Sequence, residues 1–176
     1  VMHGLWARNW KDMIVQMQGL GFNAVRLPFC PATLRSDTMP ASIDYSRNAD
    51  LQGLTSLQIL DKVIAEFNAR GMYVLLDHHT PDCAGISELW YTGSYTEAQW
   101  LADLRFVANR YKNVPYVLGL DLKNEPHGAA TWGTGNAATD DGDDERDPVE
   151  VVHQRSPYRC RRGKFCVLRC SISARR

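Results

Sequence analysis

Three times in this chain an amphipathic helical pattern runs into a short apolar segment that ends in polar, chemically capable residues. That repeat narrows the fold more than any other feature. Trp10, Met13, Ile14, Met17 and Leu20 fall at helical spacing, Gly21 supplies a stop, and the segment 22–28 reads as the strand that follows. Leu57, Leu60, Ile64 and Phe67 share one face and Gly71 ends it. Segment 72–77 is then apolar almost throughout, as a strand buried on both faces should be. Leu101, Leu104, Ala108 and Tyr111 form a third stripe, and Pro115 precedes the strand 116–122.

Repeated helix–strand units of this length imply a parallel sheet with helical crossovers. A doubly wound sheet and a (β/α)8 barrel both fit. The strands end in Arg26, in Asp77, His78 and His79, and in Asn124 and Glu125, and barrel active sites assemble from the C-terminal ends of several strands. No glycine-rich phosphate loop follows any strand, as a nucleotide-binding sheet would show. The expected fold is therefore α/β, a partial (β/α)8 TIM barrel. A closed barrel needs eight units and typically about 250 residues. The 176 residues here supply three or four, if a strand was lost before Val1.

Residues 1–140 form this incomplete domain, and residues 141–176 differ in character. They open on the charge run Asp141 to Asp147 and carry nine basic and six acidic residues and three of the five cysteines. Their few apolar residues, Phe165, Val167 and Leu168 among them, follow neither period. Two readings fit this irregular tail: translation in another frame, which the abruptness favours, or a solvated basic extension. With no recognisable fold behind it, the positive charge is not read as a nucleic-acid surface. No apolar run approaches the length of a membrane span. The first residues lack the pattern of a signal peptide, and a secreted parent could have lost one upstream of Val1.

Glu125 carries the strongest chemical signal. A carboxylic acid at a strand mouth, partly desolvated, can have its pKa raised until it donates a proton near neutrality. Hydrolysis of a glycosidic bond needs such an acid. Asn124 beside it can hydrogen-bond a sugar hydroxyl, and Pro126 restricts the backbone of Glu125 and keeps it out of helical geometry. His78 and His79 raise the question of a metal. Neighbours on a strand point to opposite faces and no third ligand stands at metal spacing, so none is expected. Trp6, Trp90, Tyr91 and Trp132 lie in predicted loops, where aromatic faces can stack on sugars or plug the core. Trp6 and Trp132 are the candidate sugar contacts, and Trp10 and Trp100 belong to the core by their helical placement.

The motifs Asn124-Glu125-Pro126, Val25-Arg26-Leu27-Pro28 and Asp77-His78-His79 together resemble glycoside hydrolase family 5. The wording His3-Gly4-Leu5-Trp6, Pro81-Asp82-Cys83-Ala84-Gly85 and Leu89-Trp90-Tyr91-Thr92 is similar to its bacterial endoglucanases. The resemblance covers residues 1 to about 140 and implies a (β/α)8 barrel and retaining endo-hydrolysis of β-1,4-glucans such as cellulose, in a secreted parent enzyme. It implies Glu125 as acid/base, Asn124 as a sugar contact, Arg26 as the arginine beside the nucleophile, and His79 as the histidine of the Asp-x-His pattern. No cofactor is implied, because two carboxylates suffice.

Cys30 and Cys83 follow neighbouring strands and can form a disulfide. The resemblance also allows Cys83 a partner upstream of Val1, so both pairings stay open. The nucleophilic glutamate of the family lies beyond the resembling region, and Glu145 and Glu150 follow no apolar strand. The chain as written is therefore expected to be inactive. A mannanase or other β-glycanase, and a non-catalytic glucan binder, remain as alternatives.

Overall fold

The computed structural model describes residues 2–130 and the backbone of 166–168. Helix α1 (Trp10–Gly19) leads to strand β1 (Ala24–Phe29), α2 (Ser56–Ala69) to β2 (Tyr73–His78), and α3 (Glu97–Tyr111) to β3 (Val117–Asp121). The three strands run parallel in the order β1-β2-β3. Short 3-10 turns at Pro31–Leu34 and Ala49–Leu51 lie in the long connection after β1. No helix among the described residues is long and apolar enough to cross a membrane.

Local chemistry sets the ends of the helices. Asn9 accepts from the amides of Lys11 and Asp12, and Thr55 with Gln58 and Thr96 with Gln99 form capping boxes. The glycine stops share one geometry. Gly21 (φ 88°) and Gly71 (φ 69°) take the left-handed conformation. Their amides bond the carbonyls of Gln18 and Asn68, while the next residues, Phe22 and Met72, bond back to Met17 and Phe67. This double bond pattern satisfies orphan helix carbonyls and turns the chain into the strand. Leu20, expected on the apolar face of α1, caps the helix instead and is 69% exposed.

Alternation along the strands separates two faces. Leu27, Phe29, Val74, Leu76 and Leu120 lie in the core with Trp10, Ile14, Leu60, Val63, Ile64, Phe67, Trp100, Leu104 and Val107. The opposite face presents Arg26, Tyr73, Leu75 and Asp77. Segment 72–77 is thus not buried on both faces: Tyr73 is 41% exposed. A register shift matters for function. Val74 pairs with Val117 but Leu75 with Gly119, so Leu118 is an extra residue. One extra residue reverses the facing of everything after it. Without it Asp121 would point into the helix layer; with it Asp121 stands opposite Asp77.

The sequence offers no strand after β3, yet β4 (Cys166–Leu168) runs parallel to β3, with Gly119 beside Cys166. The free edge of β3, with its row of unpaired backbone groups, is a template for such pairing. The question of a changed reading frame, and Trp132, lie outside the described residues.

Candidate active site

Toward the C-terminal ends of the strands, Arg26 reaches from β1 across β2 to β3. Its Nε donates to Oδ2 of Asp121 at 2.8 Å and its Nη2 to Oδ1 of Asn124 at 3.0 Å. The same Nη2 lies 2.9 Å from Oδ1 of Asp77. Asp77 is fully buried and Asp121 nearly so. His79, on the same face, places Nδ1 2.6 Å from Oδ2 of Asp77. Burial pushes the pKa of Asp77 above the ordinary carboxylate value. The hydrogen bond from His79 and the charge of Arg26 work against that rise, and Asp121 adds to it. One guanidinium thus holds two carboxylates and orients Asn124, which is itself buried and whose amide bonds the His78 carbonyl at 3.3 Å.

Asp121 is the member of this group that sequence motifs miss. Its signal is present all the same: an aspartate inside an apolar strand cannot stay buried without a partner.

Glu125 follows Asn124 and departs from expectation in two ways. It is exposed rather than partly desolvated, because Asn124 and Pro126 take the buried positions on either side. Its φ is 46°, so it leaves helical geometry by the left-handed region rather than through the extended backbone that a following proline favours. Its carboxylate makes no hydrogen bond or ion pair among the described residues, while its carbonyl lies 2.6 Å from Nδ1 of His127. The structure brings Arg26, Asp77, His79, Asp121 and Asn124 into one network, with Glu125 at its rim.

Trp6 is elsewhere. It is 50% exposed, meets His3 edge-on with ring centres 4.6 Å apart, and lines a cavity of about 290 Å3 with Thr33, Ser42 and Ser56. None of the network residues lines that cavity. Trp90 is a core plug, 6% exposed and bonded through Nε1 to Glu97, and Trp10 and Trp100 are buried as their helical placement requires.

Residues 1–154 match the family model described as cellulase, glycosyl hydrolase family 5. The chain belongs to this family. An endoglucanase of Paenibacillus polymyxa is 50% identical over 139 residues, covering 79% of this chain and 35% of that protein. Endoglucanase B of Acetivibrio thermocellus is 36% identical over 114 residues, covering 61% of this chain and 20% of that one. The endocellulase from Pyrococcus horikoshii, whose complex with cellotetraose has been solved, superposes with a TM-score of 0.75 at 47% identity. That match covers 80% of this chain and 40% of its own. This chain therefore spans a fifth to two fifths of the length of these relatives. Its parallel helix–strand units are part of the (β/α)8 barrel of family 5.

Two further features lie beside this network. Cys30 and Cys83 are joined by a disulfide that links the segment after β1 to the segment after β2, one of the two pairings the sequence left open. Behind the sheet, on the face opposite His79, His78 is fully buried and stacks on Tyr95. Tyr95 donates to Asp103 at 2.9 Å, and Arg35 holds both oxygens of Asp103 at 2.9 and 2.6 Å. The Tyr95 oxygen is thereby left to accept from Nε2 of His78 at 3.5 Å. Among the described residues Nδ1 of His78 has no partner. The two histidines therefore cannot share an ion.

Burial, and secondarily the nearby Lys123, lower the pKa of His78 from 6.5 to about 4. As the pH falls, the unfolded chain takes up this proton before the folded one does. The stability tied to His78 is therefore complete above pH 6.5 and is lost toward pH 4, by about 3 kcal/mol in all. Asp77 acts in the opposite sense, since its raised pKa lets the folded form bind a proton more readily. The expected result is a difference: His78→Gln should lose less stability than wild type between pH 7 and 4 in urea titrations. Parallel pH profiles for the two proteins would refute this role.

Proposed function

We propose that this chain is the acid/base-bearing part of a retaining endo-1,4-β-glucanase acting on cellulose and related β-glucans. The observation that carries the reading is the placement of Glu125 directly after Asn124, which Arg26 holds at the C-terminal ends of three parallel strands. Glu125 protonates the glycosidic oxygen as the bond breaks and takes a proton from water in the second step. Asn124, fixed by Arg26, presents its remaining hydrogen-bonding capacity to a sugar hydroxyl. Arg26 and His79 supply the polar surroundings in which two carboxylates can hold different protonation states. Trp6 and Trp132 offer stacking surfaces for the glucan.

The retaining reaction needs a second carboxylate about 5 to 5.5 Å from the first. Among the described residues the carboxylates at the strand ends, Asp77 and Asp121, are both engaged by Arg26. The chain alone is therefore proposed to hydrolyse no glucan detectably. Adding the C-terminal remainder of the Paenibacillus polymyxa endoglucanase should produce hydrolysis of carboxymethylcellulose that Glu125→Gln abolishes. Activity of the mixture on mannan alone would assign a mannanase instead. Retention on crystalline cellulose that is lost in Trp6→Ala, with no hydrolysis in any mixture, would assign a binding function; the exposed Trp6 is what favours that second reading. The Cys30–Cys83 bond supports a secreted parent, since such bonds persist in oxidising compartments.

A further inference from the structure

Glu125 holds a backbone conformation that is disfavoured for any residue with a Cβ, and such conformations persist only where the surroundings enforce them. Pro126 cannot help by hydrogen bonding, having no N–H. The next three residues are gripped from one side by Glu88, which lies between β2 and α3. The amide of His127 donates to the Glu88 carbonyl at 3.3 Å, and the amide of Ala129 donates to Oε2 of Glu88 at 3.0 Å. Between them Gly128 turns left-handed at φ 58°, and a Cβ built there would overlap the Glu88 carboxylate. The His127 ring then closes the loop by meeting the carbonyl of Glu125 at 2.6 Å.

We infer that Glu88 is a positioning residue for Glu125: by holding residues 127–129 it fixes the left-handed turn that aims the acid/base carboxylate. The inference rests on the proposed role of Glu125 and deepens it. A proton donor works only when it is held in line with the bond that breaks, and small misplacements cost rate steeply. Gly128 is required by the same arrangement, because only a residue without a Cβ leaves room for the carboxylate to approach the turn. Glu88 is exposed, so its removal opens no cavity in the core and spares the fold.

The test uses the full chain with Glu88→Ala, Glu88→Gln and Gly128→Ala, followed by NMR. In Glu88→Ala the Ala129 amide should exchange about tenfold faster, and the amide and carboxyl resonances of Glu125 should shift while those of Asp77 stay in place. Glu88→Gln, which keeps an acceptor oxygen, should restore most of both signals. Gly128→Ala should reproduce Glu88→Ala, and the double variant should add little to either. Unchanged Ala129 exchange or unmoved Glu125 resonances in Glu88→Ala would overturn the inference.

Hydrolysis separates this result from the reading it rests on. In mixtures with the Paenibacillus polymyxa C-terminal remainder, Glu88→Ala should lower kcat about tenfold with KM little changed, and Glu88→Gln should recover it. If wild-type mixtures show no hydrolysis dependent on Glu125, the proposed function fails, while the exchange measurements still decide whether Glu88 sets the turn.

Discussion

Replacing Cys30 and Cys83 by serine should lower the stability of the chain by about 4 kcal/mol. The bond closes a sequence separation of 53 residues that contains all of α2 and β2. Without it the unfolded chain regains the freedom of that loop, and the chain-entropy relation for a loop of this length gives roughly 4 kcal/mol at room temperature. For a folded region of about 130 residues that corresponds to a drop in melting temperature on the order of 10 to 20 °C. Thermal melts of wild type and Cys30→Ser/Cys83→Ser under oxidising conditions measure it directly. Adding a reductant should bring wild type down to the variant and leave the variant unchanged, which separates this bond from the three remaining cysteines. A melting temperature within a degree or two of wild type would show that the bridge constrains nothing the fold does not already hold.

Arg26→Ala is expected to cost about 3 kcal/mol, and its cost should depend on pH. The substitution leaves the buried Asp77 and Asp121 facing each other across β2 and β3 without the guanidinium that bridges them. Breaking a buried ion pair from one side typically costs about 3 to 5 kcal/mol. The lower end applies because the Arg26 side chain is itself 40% exposed and water can partly replace it. In the variant the rise that burial imposes on Asp77 is no longer opposed by Arg26, so the folded state gains from protonating Asp77 and the deficit should shrink as the pH falls from 7 toward 4.5. His78 titrates in both proteins and cancels in the difference between them. Urea titrations at the two pH values decide the matter, and a deficit that is equal or larger at the lower pH would refute it. Arg26→Lys should recover only part of the loss. An ammonium keeps the charge but cannot serve Asp121, Asn124 and Asp77 from the two nitrogens that Arg26 uses.

The network also explains which parts of the site were legible in advance. His79, Asn124 and Glu125 follow apolar runs, and Arg26 stands within one between Val25 and Leu27; polar residues need a reason to be in either place. Asp121 and Glu88 escape such a reading for different causes. Asp121 ends β3 but is followed by the apolar Leu122 and belongs to no motif, and only the extra residue at Leu118 turns it toward Arg26. Glu88 lies in a loop with no periodicity, and its partners at 127 and 129 stand some 40 residues away in sequence.

The residue pattern by itself determined the elements. Helical spacing, threonines placed three residues ahead of glutamines, and glycines at the helix ends act over a few residues, through hydrogen bonds and rotamer limits that do not wait for the rest of the chain. It determined the parallel order of the strands as well, since helices between successive strands permit little else. Tertiary structure alone decided the bonding of Cys83 to Cys30, the register that sets Asp121 beside Asp77, the burial of His78, the pairing of β4 with β3 and the outward, left-handed setting of Glu125. Each of these depends on side chains or edges brought together from distant positions. At such distances a shift of one residue exchanges one face of the sheet for the other, and no local pattern records which face was chosen.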